Sequence, residues 1–159
     1  MLDLTYCEPI VGKIRPSIKS DCIIIGENLR DQAALEMWNY DRSSPVESCL
    51  NSFTKSFVKM TIEHNNIPIA MFGIMLIPEP TLWMLTTDGL ENIGRNFVRN
   101  TRSWINKMLV DYPTLVAYVD IRNKESIKWL EFIGGKMVDT VFMGIDDLPF
   151  RKYEFTCKK

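Results

Sequence analysis

The sequence predicts a single α/β domain, because strand-like and helix-like segments alternate along a chain of one-domain size. The chain has 159 residues, of which 46% are hydrophobic. That is enough to bury one core without metals or disulfides. Apolar runs typical of strands are interspersed with apolar residues at helical spacing. Since no internal repeat or low-complexity linker divides the sequence, we expect one domain over residues 1–159.

Composition argues against several classes of protein. The 19 basic side chains nearly balance 20 acidic ones, so no overall field favours nucleic acid or an anionic membrane. The longest apolar stretch, Ile67 to Pro78, is about half of the roughly 20 residues that cross a bilayer. The N-terminal segment carries an acid where a secretion signal would be positive. We therefore expect no nucleic-acid partner, no membrane association and a cytoplasmic location.

The cysteines do not form a metal-binding pattern. They lie far apart, without a CxxC pair, at Cys7, Cys22, Cys49 and Cys157. Zinc needs closely spaced ligands, so the sequence predicts reduced thiols and no metal site. The single histidine, His64, lies in the turn-like sequence EHNN. This context favours a solvated turn residue over a general base.

The first third of the chain predicts one strand and three helices. The strand covers Gly12 to Pro16, and Ser20–Asp21 resembles a helix cap, because these side chains accept hydrogen bonds from free amides. Helices are predicted over Ile23 to Leu29, from about Asp31, and over Pro45 to Phe53. The second should place Ala34, Leu35 and Trp38 on one face.

The middle of the chain predicts antiparallel strands. Two runs, Phe57 to Glu63 and Ile67 to Leu76, flank Asn65–Asn66, whose side chains tolerate the left-handed geometry of a hairpin turn. The second run is apolar almost throughout, which indicates a central strand covered on both faces. A third strand is predicted over Leu82 to Thr86.

A long helix follows, from about Glu91 to Asp111, because apolar residues recur at helical spacing. They are Ile93, Phe97, Trp104, Ile105, Met108 and Leu109. Three arginines at intervals of four and three share a face away from that stripe: Arg95, Arg99 and Arg102. The remaining elements are a strand over Leu115 to Val119, a helix over Glu125 to Ile133, and strands over Val138 to Met143 and Tyr153 to Thr156.

Three local motifs strengthen what the order of elements suggests. Ile14–Arg15–Pro16 with Ser20–Asp21 forms the first, and Trp83–Met84–Leu85–Thr86–Thr87 before a loop and a long helix forms the second. The third, NKESIKWLEFIGGK from Asn123, has the spacing N-x-x-A-x-x-L-Y-x-x-x-G-F and is the most specific. In these motifs the sequence resembles the Gcn5-related N-acetyltransferases. The resemblance implies a mixed, largely antiparallel sheet of six to seven strands, flanked by helices on both faces.

The resemblance also implies acetyl-CoA as cofactor. The implied cofactor-binding residues are Leu85, Thr86, Thr87, Gly94, Arg95, Arg99, Asn123 and Ser126. Backbone groups of the first three would meet the acetyl and pantetheine amides, and the long helix would direct its first N–H groups at the pyrophosphate.

The phosphate-binding loop departs from the family pattern. Of the family's Q/R-x-x-G-x-G/A loop, Gly89 to Gly94 keeps the final glycine alone, and Glu91 places an acid beside the expected anion. Arg95 and Arg99, with Arg102, either contact phosphates in its place or form a solvated helix face.

The helix after Asn123 carries two further implied roles and one departure. Asn123 either contacts pantetheine or caps the helix, and Ser126 replaces an alanine that faces the cofactor. Leu130 stands where many family members carry a tyrosine that protonates the departing thiolate. That acid is therefore absent or supplied elsewhere, for instance by Tyr118 or a water.

Acetyl transfer needs a neutral acceptor amine and hence a base. Glu36, on the acceptor side by resemblance, and Asp88, after the cofactor strand, are the candidate catalytic carboxylates. For each, the alternative is a surface or capping acid. The acceptor would be an amine of a protein or a small molecule, attacking the thioester directly.

The segments LTTD, YP and VDIRNKESIKWLEFIGG resemble, in particular, divergent acetyltransferase-like proteins of tailed bacteriophages, some of them internal virion proteins. This resemblance implies an infected or lysogenic bacterial cell. Two hypotheses follow: an N-acetyltransferase in the host cytoplasm, or a catalytically inactive structural or host-interaction protein. Under the second hypothesis, the protein would bind other phage virion proteins and be located in the virion.

Overall fold

A seven-stranded sheet forms the centre of the structure. The computed structural model describes residues 13–92 and 94–157, and the side chains of residues 91–99 lie outside this description. The strands are β1 (Lys13–Pro16), β2 (Ser56–His64), β3 (Ile67–Met75), β4 (Thr81–Thr86), β5 (Thr114–Asp120), β6 (Lys136–Met143) and β7 (Leu148–Thr156). Their order across the sheet is β1-β2-β3-β4-β5-β7-β6. All neighbours are antiparallel except β4 and β5. The mixed, largely antiparallel α/β architecture expected from the sequence is confirmed.

Five helices cover the two faces of this sheet. They are α1 (Lys19–Glu27), α2 (Asp31–Asp41), α3 (Pro45–Lys55), α4 (Gly94–Asp111) and α5 (Lys124–Phe132). The buried side chains of α4 and α5 pack with one face of the sheet, where the Phe72 and Trp104 rings stack with centroids 4.8 Å apart. Cys22 of α1 and Cys49 of α3 pack with Met71 and Leu85 on the other. The two core clusters therefore lie on opposite sides of the central strands.

Several element boundaries follow the sequence pattern. The turn between β2 and β3 has Asn65 and Asn66 at φ values of 52° and 62°, as predicted for a hairpin. Helix α3 begins with Pro45 in its first turn, and the Ser44 hydroxyl accepts a hydrogen bond from the Glu47 N–H at 3.3 Å. Strand β3 is almost completely buried, as its apolar sequence indicates.

Other boundaries differ from the prediction. Helix α1 begins at Lys19, before the predicted cap at Ser20–Asp21, because the Asp21 carboxylate lies in the first turn and reaches back to the Ile18 N–H at 2.9 Å. Helix α4 begins at Gly94 rather than Glu91, since Asp88–Asn92 forms a separate 3-10 segment. Strand β7 begins at Leu148 rather than Tyr153, because its polar residues still pair along β5 and β6.

Some expectations fall outside the described residues or concern exposed surface. Cys7 and Gly12, and the side chains of Ile93 and Phe97, belong to the part that the structure does not describe. The predicted apolar face of α2 is not buried, since Leu35 and Trp38 are both exposed.

The described ranges, residues 13–92 and 94–157, contain neither a membrane-spanning helix nor a metal-binding cluster. None of their helices combines the length and hydrophobicity needed to cross a bilayer. Within the same ranges, His, Cys, Asp and Glu side chains form no group of three or more that could hold a metal ion. Cys22 and Cys49 are buried free thiols, and Cys157 is an exposed one.

Candidate functional site

Strands β4 and β5 diverge soon after they meet. In the described residues they pair at one position, where Thr81 lies opposite Val116. The Val116 N–H donates to the Pro80 carbonyl at 3.0 Å. Beyond this point β4 remains paired with β3, and β5 with β7. The divergence leaves a wedge between the two parallel strands, which we call the opening.

Alternation along β4 determines which backbone groups face the opening. The Thr87 N–H donates to the Ile69 carbonyl of β3 at 2.9 Å. Because the hydrogen-bonding sides of a strand alternate, the backbone of Leu85 also faces β3, whereas Met84 and Thr86 face the opening. Met84 was not selected from the sequence, and the register between β3 and β4 is the signal that identifies it.

The side chains of Leu85 and Thr87 help to build the end of β4. Leu85 is buried in the core cluster beneath α1 and α3. The Thr87 hydroxyl donates to the Ile69 carbonyl at 2.8 Å and accepts from the Gly89 N–H at 3.3 Å. Thr87 therefore shapes the turn that leads towards α4, and its amide is already used within the sheet.

Asn123 joins α5 to α2. Its Oδ1 accepts from the Ser126 N–H at 3.2 Å and caps α5, and its Nδ2 donates to Glu36 Oε1 at 2.9 Å. Since capping uses the oxygen, the amide nitrogen must point at Glu36. The capping role considered for Asn123 is present, and Ser126 lies partly buried in the first turn of the same helix.

Glu36 is a partly buried carboxyl group with two amide neighbours. Besides Asn123, the Gln32 side chain donates to the same oxygen, Oε1, at 3.5 Å. Burial raises the pKa of Glu36, and the nearby Asp120 charge adds to this, while the Asn123 and Gln32 hydrogen bonds and the Arg122 charge oppose it. A carboxyl group with a raised pKa is a stronger base once it is ionised.

Asp120 fixes the turn between β5 and Asn123. Its side chain is 1% exposed and receives hydrogen bonds from Arg122 Nε at 2.9 Å and Nη2 at 2.6 Å. Burial alone would raise the pKa of Asp120, but the hydrogen bonds from the Arg122 side chain and N–H lower it overall. The ionised Asp120 thus holds the backbone in the conformation that presents Asn123.

Asp88 occupies a different environment from Glu36. Its side chain is 87% exposed and lies 3.7 Å from the Arg30 guanidinium. Glu125, in the first turn of α5, lies 3.6 Å from the same guanidinium. Arg30 therefore brings the 3-10 segment after β4 close to the start of α5, where Asn123 and Glu36 meet.

Of the three arginines predicted to share a face of α4, the structure describes the side chain of Arg102. Gly94 is the first residue of the helix, and the side chains of Arg95 and Arg99 lie outside the described part. Arg102 donates from Nε to the Phe132 carbonyl at 2.9 Å, and its guanidinium lies 4.5 Å from that ring's centroid. Arg102 thus binds the end of α5, and its contact with a phosphate stays a prediction.

The position of the family tyrosine is part of the core. Leu130 is 5% exposed and packs in the larger core cluster. Tyr118 is the other residue that the sequence analysis considered for the general acid. Its hydroxyl donates a hydrogen bond to Glu79 Oε1 at 2.7 Å. Burial and then Glu79 raise the pKa of Tyr118, so the hydroxyl keeps its proton at neutral pH.

The turn between β6 and β7 packs against the end of α2. The Ile145 N–H donates to the Tyr40 carbonyl at 2.6 Å, and Arg42 pairs with Asp146 at 2.5 Å. Gly144 has a φ of 79°, and a Cβ there would lie 2.7 Å from the Tyr40 backbone. Glycine is therefore required where the turn between β6 and β7 approaches Tyr40 closely. Tyr40 lies about one helical turn after Glu36 in α2.

No protein-family model and no curated protein matches this sequence. Solved structures match its fold. One is the structure of YncA from Salmonella typhimurium, a protein named as an acetyltransferase, with its cofactor acetyl-CoA. It is 14% identical to this chain, with a TM-score of 0.70 over 94% of this chain and 95% of that one. An N-acetyltransferase from Staphylococcus aureus is 20% identical, with a TM-score of 0.67 over 92% and 99% of the two chains.

The ribosomal-protein-S5-alanine acetyltransferase of Vibrio fischeri is 15% identical, with a TM-score of 0.68 over 99% of this chain and 98% of that one. A GNAT-family acetyltransferase from Bacillus anthracis has a TM-score of 0.68 at 10% identity, over 94% and 96% of the chains. The fold is that of the Gcn5-related N-acetyltransferases.

Proposed function

We propose that the protein is an acetyl-CoA-dependent N-acetyltransferase that acts on an amine of a protein or small molecule by direct attack. The observation that carries this proposal is the single pairing between β4 and β5. Beyond it, the backbone of Met84 and the N–H of Thr86 face the opening rather than β3. Buried backbone groups need hydrogen-bond partners, and the amides of a pantetheine arm can supply them.

The start of α4 supports a phosphate site next to this opening. The helix begins at Gly94, two residues after the 3-10 segment that follows β4. The first turn of a helix offers unpaired N–H groups and the positive end of its dipole, which favour a phosphate. Arg95 and Arg99, close behind in the sequence, add positive charge to this end of the helix.

Glu36 is the proposed base. Its raised pKa suits removal of a proton from an ammonium acceptor near neutral pH. The neutral amine nitrogen would then attack the thioester carbonyl, and the carbon–sulfur bond would break with its electron pair going to sulfur. The remaining extra proton on the nitrogen would pass to that thiolate, which gives the amide and CoA as products. Glu36 holds the amine proton, directly or through a water. The exposed, ion-paired Asp88 is the second candidate for this role.

Leu130 favours a second candidate function. A buried leucine cannot protonate the departing thiolate, and the Tyr118 hydroxyl already donates its hydrogen bond to Glu79. A chain with this fold and without transfer chemistry would serve as a phage virion or host-interaction protein. In either function, the phage-like segments from the sequence support a role inside an infected or lysogenic bacterial cell.

Calorimetry with acetyl-CoA tests the binding site. Ser126→Trp, a change at the position that by resemblance faces the cofactor, should weaken binding by about tenfold or more, equivalent to about 1.4 kcal/mol. Lys128→Trp adds the same ring at an exposed position of α5 and should bind like the unchanged protein. If the unchanged protein produces no heat and no thermal shift with millimolar acetyl-CoA, the cofactor site is disproved.

A mass-spectrometric search for acetylated amines in bacterial lysate separates the two functions. Acetylated products that depend on the protein, and that Glu36→Gln strongly reduces, support transfer. Asp31→Asn, which changes an exposed acid of the same helix, is the matched control. Acetyl-CoA binding without any such product favours the inactive alternative.

A further inference from the structure

The Asn123 side chain connects the start of α5 to α2. Its Oδ1 accepts from the Ser126 N–H at 3.2 Å, and its Nδ2 donates to Glu36 Oε1 at 2.9 Å. The resemblance left two roles open for this asparagine, a pantetheine contact and a helix cap. Here the cap uses the oxygen, and the proposed base uses the nitrogen. Both ends of the amide are therefore engaged within the protein.

The hydrogen bonds to Glu36 fall on one of its two oxygens. Asn123 and Gln32 both donate to Oε1, at 2.9 and 3.5 Å. The first distance is that of an ordinary N–H···O hydrogen bond, whereas the second is longer than the usual range. Asn123 is therefore the donor that fixes the carboxyl group. Among the described residues neither donor occupies Oε2, so Oε2 is the oxygen that can take up a proton from an acceptor.

Asn123 also opposes the effect of burial on Glu36. Burial is the largest influence on the pKa of Glu36 and raises it, and the Asn123 hydrogen bond is the next largest and lowers it. From the neighbouring elements, the Asp120 charge raises this pKa and the Arg122 charge lowers it. Those two charges are paired with each other at 2.6 Å, so they largely offset one another. Within α2, the neutral Gln32 lowers the pKa through its longer contact. The amide of Asn123 is thus the main contact that favours the ionised carboxylate.

We propose that Asn123 is a positioning residue for acetyl transfer, which fixes Glu36 through Oε1 so that Oε2 receives the proton of the acceptor amine. This inference rests on the proposed function. In that step the ammonium nitrogen loses the proton and the carboxylate gains it. A glutamate side chain has several rotatable bonds, and a base acts only within hydrogen-bond reach of its proton. The Asn123 bond removes that freedom before the acceptor arrives. Because an N–H donor stabilises the charged form, it also keeps the partly buried carboxyl ready to accept a proton.

Two substitutions of Asn123 separate the contact with Glu36 from the helix cap. Serine and aspartate cap helices as well as asparagine does, but neither carries an amide N–H. Asn123→Ser therefore removes the hydrogen bond to Glu36, and Asn123→Asp also places a like charge beside it. Both should raise the pKa of Glu36, the second by about one unit or more. Gln32→Ala, which removes the weaker donor to the same oxygen, is the matched control and should raise it least.

Three measurements on these variants test the role. Carbon-13 NMR of protein labelled at glutamate carboxyl groups follows the titration of Glu36, whose signal is the one that Glu36→Gln removes. The rate of amine acetylation in bacterial lysate, measured by mass spectrometry from about pH 6 to about pH 9, should shift to higher pH in the same order. The ionisation of the acceptors is common to all variants, so it cancels in this comparison. Calorimetry should give an unchanged affinity for acetyl-CoA.

A rate profile that stays at the same pH in Asn123→Ser and Asn123→Asp would overturn the inference. So would an acetyl-CoA affinity that falls about tenfold while the Glu36 titration stays in place, because the amide would then contact pantetheine instead. If the unchanged protein acetylates nothing, the proposed function fails and the role of Asn123 falls with it. That outcome differs from product formed equally well by all variants at every pH, which would overturn the inference alone.

Discussion

Glu36 and Asn123 show how two residues distant in sequence become one functional unit. They are 87 positions apart, and the 2.9 Å hydrogen bond between them joins α2 to the cap of α5. Asn123 cannot rotate its amide without losing either the cap or the contact with Glu36. The orientation of the candidate base is therefore tied to the helix that borders the opening.

The raised pKa of Glu36 leads to a prediction about stability. Because the folded protein holds the proton more tightly, protonation contributes stability that is full below the unfolded pKa of about 4.3 and is lost as pH rises through the folded pKa. Glu36→Gln keeps the side chain neutral at every pH. Its melting temperature should exceed that of the unchanged protein most at pH 8, and the difference should shrink towards about pH 4.

Asp31→Asn is the control for this measurement, because it removes a charge from an exposed position of the same helix. If the difference in melting temperature between Glu36→Gln and the unchanged protein stays constant from pH 4 to pH 8, ionisation of Glu36 does not destabilise the fold.

The sequence identified some site residues and missed others for a physical reason. Glu36, Asp88 and Asn123 were selected from local patterns and resemblance, and their roles as base or cofactor contacts remain predictions. Met84 was missed, because its importance depends on which strand its backbone groups face. That property is set by pairing between distant segments and leaves no local signal.

At the scale of elements, a buried charge network joins β1, α1 and β2. Asp21 is 1% exposed and accepts two hydrogen bonds from Arg15, at 2.8 and 2.7 Å, and one from the Thr61 hydroxyl at 2.9 Å. Burial opposes its ionisation, but the hydrogen bonds from Arg15, Ile18 and Thr61 outweigh burial and lower the pKa of Asp21. The network positions α1 on the sheet before the connection to α2 begins.

Asp21→Asn should destabilise the protein by about 3 kcal/mol at neutral pH, because it leaves the Arg15 charge without its buried partner. With a depressed folded pKa, Asp21 contributes stability above its unfolded pKa, and this is lost as pH falls through the folded value. The cost measured by urea unfolding should therefore decrease in acid. Glu63→Gln, which changes the less buried partner of Arg15, should cost clearly less. Equal costs for the two variants would contradict this account.

Element types were predictable where periodicity was strong, as in β3, α4 and the Asn65–Asn66 hairpin. Boundaries were less predictable where polar contacts decide them. The Asp21 carboxylate looked like a cap and instead acts from within the first turn, and β7 extends through charged residues whose pairing with β5 and β6 is nonlocal.

At the scale of the whole molecule, the sheet consists of two parts, β1–β4 and β5–β7. Their backbones meet at Thr81 and Val116, and α4 and α5 pack across both parts. The order of elements indicated this architecture. The divergence itself could not be derived from composition or periodicity, since it depends on how far two strands remain parallel after they meet.

A ligand in the opening should protect particular amides. Acetyl-CoA, which stabilises the state that binds it, should raise the melting temperature with ligand concentration. Hydrogen exchange should slow most at the N–H groups of Met84 and Thr86, which face the opening. The same holds for the N–H of Tyr118, which lies two residues after Val116 and so points to the same side of β5. The Thr87 amide, already bonded to Ile69, should change little. Uniform protection across the sheet, or none, would contradict binding between β4 and β5.

The divergence of β4 and β5 also has a consequence for handling the protein. Unpaired strand backbones attract other extended chains and promote self-association. Most sheets have such edges at their outer margins, whereas here two more lie within the sheet, and the Leu29–Thr87 bridge covers just the last residues of one. The form without a bound ligand should therefore be the one that aggregates during concentration or storage, and a molecule filling the space between the strands should keep it monodisperse.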